Sequence, residues 1–226
     1  MNSDLYFPSL KRQSIESYFK RPGKFYATYN SQKNYENISK DCQYRCVYCD
    51  VHIDECGGEP FSLDHFRPVG VFGNKFDGIL KVHPYNLHLS CQKCNILKTN
   101  DWQGCRSTQG GPTFLSSKGY IDRFQVDITD YLKVDDEGRI QCINSVGPAR
   151  YMIGKMLLNR TNRVYIRKKR EVKIKADRIG SMLVKRKRLI VDRWLAGDLA
   201  EDEVKKEMEN LIELFERFDA LSLIKL

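Results

Sequence analysis

Two Cys-x2-Cys pairs, Cys46/Cys49 in RCVYCD and Cys91/Cys94 in SCQKCN, constrain this chain more than any other feature. A two-residue spacer lets one tight turn aim both sulfurs at a single ion, and two such pairs supply the four thiolates of a closed tetrahedral zinc site. The intervening chain must therefore return on itself so that both pairs meet. Inside that bracket lies FSLDHFRPVG, with a histidine beside a carboxylate, and YNLHLSCQKCNILKTN closes it with an amide directly after the last thiolate.

Composition narrows the setting. At 226 residues and 41% hydrophobic, the chain is long enough to bury a core, as one domain or one domain with an extension. There is no apolar run of about 18 residues, and MNSDLYFPSL lacks the basic-then-apolar order of a signal peptide, so no membrane span and a cytoplasmic location are expected. In such a compartment the cysteine pairs read as metal ligands rather than disulfides. The remaining four, Cys42, Cys56, Cys105 and Cys142, are expected to be small buried hydrophobes, with Cys42 close enough to Cys46 to compete as a ligand.

The net charge of +9 favours a polyanionic partner, and its distribution says more than its total. Residues 150–193 hold sixteen Lys/Arg against three acids (Glu171, Asp177, Asp192), or +13. Residues 198–219 hold nine acids against three bases, or −6. A basic helical segment is thus followed by an acidic one. Lys168, Lys169, Arg170, Lys185, Arg186, Lys187 and Arg188 are the candidate nucleic-acid contacts within the basic segment. In the N-terminal SYFKRPGKFYATYN, Lys20, Arg21 and Lys24 interleave with Phe19, Phe25 and Tyr26; this pattern suits either phosphate contact and base stacking or plain packing of the aromatics on the core.

The order Asp64-His65, then Asn86-Leu87-x-Leu89, then Cys91-x2-Cys94-Asn95-x2-Lys98 resembles the HNH endonuclease motif, the ββα-metal or His-Me finger, in its zinc-stapled form. The likeness covers about a quarter of the chain, and it departs from the commonest pattern in carrying Asn95 where histidine is more usual. It implies an α+β fold in which a ββα-metal finger is stapled by a four-cysteine zinc site, with a helical C-terminal extension. It also implies roles. His65 is the general base, since neutral imidazole accepts a proton from water near neutral pH. Asp64 and Asn95 would hold one catalytic divalent ion, and two oxygen donors leaving room for water suit Mg²⁺ or Mn²⁺. Asn86 would brace the loop and orient His65. Lys98, one turn into the final helix, could reach a phosphate, and Arg67 could clamp a phosphate or partner a carboxylate. His83 and His88 have no assigned role, and His88 alternates with Leu87 and Leu89 as though facing solvent.

Along the chain, residues 1–40 form a basic, aromatic segment, 41–148 the zinc-stapled core with a small β ribbon around Asp135–Gly138, and 149–226 a helical extension. A strand is expected from Phe61 to Val71 and another within ILKVHPYNLHLS, followed by a helix from Asn95. Tyr165, Val172, Ala176, Ile179, Leu183, Ile190 and Trp194 recur at helical spacing as one buried face, and Val204, Met208, Leu211, Phe215 and Phe218 form a short apolar seam.

The segment ARYMIGKMLLNRTNRVYIRKKR is similar, over about twenty residues, to the helical tail of bacterial anti-phage defence HNH nucleases of the Septu type, which implies an ATPase or another defence-system partner. The expected activity is metal-dependent hydrolysis of phosphodiester bonds in nucleic acid, with DNA favoured over RNA by resemblance alone. Two alternatives stand beside it: a zinc-stapled nucleic-acid-binding or adaptor module without catalysis, and a sequence-specific restriction or homing-type enzyme.

Overall fold

The computed structural model describes residues 5–143 and 147–222, a mixed α+β chain whose described strands pair as four two-stranded antiparallel sheets. The chain divides into two compact units, Met1–Arg167 and Lys168–Leu226. No helix among the described residues is long and apolar enough to cross a membrane.

The first unit opens with a hairpin, β1 (Phe19–Arg21) and β2 (Lys24–Phe25), turned at Pro22-Gly23 where Gly23 takes φ 70°. Helix α1 (Gln32–Asp41) follows, its first turn capped by Ser31, whose hydroxyl accepts from the Asn34 N–H at 3.3 Å. Strand β3 (Phe61–His65) ends earlier than the sequence suggests. Phe66 donates its N–H to the Asn86 carbonyl at 2.8 Å, and Pro68 then starts the short helix α2 (Val69–Phe72), since proline is suited to a helix start and unsuited to a continuing ladder.

Strand β4 (Leu87–Cys91) returns antiparallel to β3, pairing His65 with Leu87 and Phe61 with Cys91, and runs directly into helix α3 (Gln92–Lys98). Two small hairpins follow, β5 (Phe114–Leu115) with β6 (Lys118–Gly119), then β7 (Leu132–Val134) with β8 (Ile140–Cys142). At the tip of the latter, Asp135 Oδ1 accepts from the Glu137 and Arg139 N–H groups. Helix α4 (Ala149–Lys155) and the start of α5 (Thr161–Leu195) complete this unit. Its core joins Tyr18, Ile38, Tyr48, Leu87, Leu89 and Trp102 to Met152 and Leu158.

In the second unit, α5 and α6 (Glu201–Ser222) meet through Leu183, Ile190 and Leu211, with Val204, Met208, Phe215 and Phe218 packed alongside. The expected buried face of α5 is narrower than its periodicity suggests: Tyr165, Ile179 and Trp194 are 48%, 46% and 52% exposed. A helix with one helical neighbour buries only a stripe, here the heptad-spaced Leu183 and Ile190.

Candidate metal centre and adjoining histidine site

Cys46, Cys49, Cys91 and Cys94 come together, fully buried, with their sulfurs within 4.8 Å of one another. The Cys49 and Cys91 sulfurs are 3.8 Å apart, against about 3.8 Å for the edge of a tetrahedron with ~2.3 Å zinc–sulfur bonds. The four residues fit a metal such as zinc. Local structure explains the convergence. Cys91 ends β4 and caps α3, which places Cys94 in the first turn. A bond from the Cys46 N–H to the Val51 carbonyl closes the loop that carries the first pair, and one from the Val47 N–H to the Leu89 carbonyl holds it against the same strand. Among the described residues this is the one cluster of three or more His, Cys, Asp or Glu placed to hold a metal. Cys42 is also buried, but its sulfur accepts from the Leu89 N–H; Cys56, Cys105 and Cys142 are partly exposed rather than core residues.

Two residues that sequence reasoning assigned no place here complete the centre. Arg160 directs one guanidinium nitrogen to within 3.5–3.7 Å of the Cys49, Cys91 and Cys94 sulfurs. Arg163 lies 3.4 Å from the Cys91 sulfur and also pairs with Glu59. Four thiolates around a divalent ion would leave about two negative charges, which the two guanidiniums offset in large part, Arg163 being shared with Glu59. Burial opposes the arginine charges, yet the neighbouring sulfurs outweigh it and hold both pKa values above the ordinary one. The cue was obscured in the sequence because both arginines fall within a basic run that reads as a nucleic-acid surface.

The alternation of β3 sends Ser62 and Asp64 toward α3, where Asn95 and Lys98 occupy one face at i, i+3. Asn95 Nδ2 donates to Ser62 Oγ at 2.9 Å. Lys98 Nζ lies 3.1 Å from Asp64 Oδ2 and 3.4 Å from Oδ1, and the Tyr48 hydroxyl also donates to Asp64. Asp64 and Asn95 have the donor types expected for a magnesium-like ion, but the Asp64 carboxylate is paired with Lys98. The ammonium already balances the carboxylate. Lys98 is fully buried and also donates to the His65 carbonyl at 2.8 Å, so its charge is spent internally instead of facing a phosphate.

His65, the next residue, is partly exposed in a pocket shared with Asp64, Pro68, Val69, Thr99 and Asn100. Its Nε2 lies 2.9 Å from the Lys81 carbonyl, which only accepts, so Nε2 carries the proton and Nδ1 keeps its lone pair. Burial lowers the His65 pKa below its usual value, outweighing the opposing pull of the Lys81 carbonyl and Asp64. The ring is thus neutral at pH 7. Asn86, buried, donates to the Leu80 and Arg67 carbonyls and accepts from the Arg67 N–H. It thereby fixes the segment that presents the Lys81 carbonyl to His65.

Arg67 is buried, donating to the Gly111 carbonyl at 2.6 Å and lying 4.9 Å above the Trp102 ring. His88 does not face solvent as expected: it is 1% exposed, stacked on Phe66, and 3.9 Å from Asp122. The second sheet face at this register is covered by Phe124. His83 accepts from the Tyr85 N–H and packs on Phe25. Of the basic residues on α5, Lys168, Lys169, Lys185, Lys187 and Arg188 are exposed, Arg186 is exposed and pairs with Glu207, and Arg170 is buried. No protein-family model, curated protein or solved structure matches the chain.

Proposed function

We propose that the chain is an HNH-type endonuclease, a zinc-stapled ββα finger in which His65 activates water for hydrolysis of phosphodiester bonds in DNA. The observation that carries this reading is the bond from His65 Nε2 to the Lys81 carbonyl. It fixes one tautomer, leaves Nδ1 as a proton acceptor toward the pocket, and is supported from behind by Asn86. The lowered pKa keeps that acceptor unprotonated at neutral pH.

A phosphoryl group under attack also needs positive charge beside it. The resemblance assigns that to Mg²⁺ or Mn²⁺ at Asp64 and Asn95, and the ion pair with Lys98 opposes it. Exposed cations of α5 would hold the substrate backbone without reading its sequence. An anti-phage setting with an ATPase or another partner protein, engaged through the acidic residues 198–219, belongs to the same proposal; loss of partner capture on deleting residues 198–226 would support it.

One observation favours a second reading. With Asp64 neutralised by a buried lysine, the finger resembles a structural module that binds nucleic acid without cutting it. Plasmid cleavage by wild type, His65→Ala and Lys98→Met across Mg²⁺, Mn²⁺, Zn²⁺ and no added metal separates the two. The nuclease reading expects cleavage in Mg²⁺ or Mn²⁺ and its loss in His65→Ala. The module reading expects retention of DNA with no cleavage in any metal.

A further inference from the structure

The β1–β2 hairpin carries Lys20, Arg21 and Lys24, all exposed, and no acidic residue occurs between Glu16 and Glu36. Arg21 pairs directly with Lys24 across the hairpin. Like charges opposite one another are mutually destabilising, a cost that an anion bound between them would relieve. The hairpin is also anchored in one place. Phe19 packs on Phe25 across the strands at 5.3 Å, and Phe25 meets the His83 ring at 5.1 Å, two residues from the Lys81 carbonyl that holds His65. Beyond the hairpin, Tyr29 sets its ring edge-on against the His65 imidazole at 4.5 Å while remaining 37% exposed.

We propose that this hairpin and Tyr29 form a binding lip for a nucleic-acid strand beside His65, with Lys20, Arg21 and Lys24 on successive phosphates and Tyr29 stacking on a base. An aromatic face with neighbouring cations and no acids is the combination that holds single-stranded nucleic acid without sequence preference. The placement beside His65 rests on the nuclease reading; the binding itself does not.

The test uses the full-length chain carrying His65→Gln, so that substrate is not consumed. Affinity for a fluorescein-labelled mixed-sequence oligonucleotide is measured by anisotropy across a salt series in KCl. Lys20→Glu/Arg21→Glu/Lys24→Glu is expected to weaken binding at least about tenfold and to lower the slope of log affinity against log salt by about two. Tyr29→Ala is expected to weaken single-strand binding about fivefold or more, and Lys20→Arg/Lys24→Arg to retain wild-type affinity. Cross-linking of a 5-iodouracil oligonucleotide to the protein without lip substitutions is expected to label residues 19–29. Unchanged affinity and slope in the triple variant, or labelling confined to residues 168–193, would overturn the lip. Labelling of the lip in this variant, with no plasmid cleavage by the wild-type protein in any metal, would retain the lip and reject hydrolysis.

Discussion

At the scale of single residues, His65 and His88 show how one residue type is put to opposite uses by its surroundings. His65 keeps a polar partner and an opening to solvent, whereas His88 is sealed between Phe66 and Phe124 with neither ring nitrogen hydrogen-bonded. Burial drives the His88 pKa well below its usual value, assisted by Arg12, Lys98 and Arg123. The folded state therefore binds fewer protons there than the unfolded chain does. That contribution is fully present above the unfolded pKa of about 6.5 and is lost as pH falls through it, at about 1.4 kcal/mol per pH unit. Chemical denaturation between about pH 7 and pH 5 should show stability falling with pH in wild type, and a shallower fall in His88→Phe. Equal slopes would mean that His88 takes no part.

At the scale of elements, the metal centre ties together β4, α3 and the first turn of α5, because Arg160 and Arg163 reach it from the chain just before and after Thr161. Removing their charge leaves a dianionic centre without compensation, so Arg160→Gln/Arg163→Gln should release zinc to a chelator about tenfold faster than wild type or more, followed with a colorimetric zinc dye. Cys91→Ser should lose the metal and melt the first unit cooperatively at lower temperature, read by circular dichroism. The ligands were legible in the sequence because Cys-x2-Cys spacing is set by local turn geometry. The strand, strand, helix order was legible with the help of the resemblance, but its bounds were not: β3 stops at His65 and not Val71, β4 is confined to Leu87–Cys91, and α3 starts at Gln92 and not Asn95. The arginine shell was not legible, since nothing local distinguishes an arginine over thiolates from one in solvent. Lys98 misled for a related reason: helix spacing placed it correctly on α3, but only the facing Asp64 shows that its charge points inward.

At the scale of the molecule, the two units differ in how they are held. The first has an extended core and a buried four-cysteine cluster that could hold a metal, while the second rests on three buried residues and the side chains beside them. Residues 198–226 include the residues of α6 that cover Leu183 and Ile190, so deleting them should reduce the helical circular-dichroism signal by more than the 22 residues of α6 account for. The first unit's zinc content should be unaffected. The seam of α6 was readable from its spacing of four and three, whereas the breadth of the buried face on α5 depended on how many neighbours that helix has. Charge asymmetry was readable outright, and its purpose rests on the nucleic-acid readings above.

Hydrolysis by His65 is tested most directly by the rate of supercoiled plasmid nicking as a function of pH, with wild type and His65→Ala compared in Mg²⁺ and in Mn²⁺. Burial holds the His65 pKa below the ordinary histidine value of about 6.5, so wild type should keep its activity through that pH and lose it only at more acidic pH, when His65 takes up a proton at Nδ1. His65→Ala should be slower by about 10²–10⁴-fold just above neutral pH with its DNA affinity retained. Nicking by His65→Ala at the wild-type rate, or no nicking by wild type in either metal, would contradict the assignment.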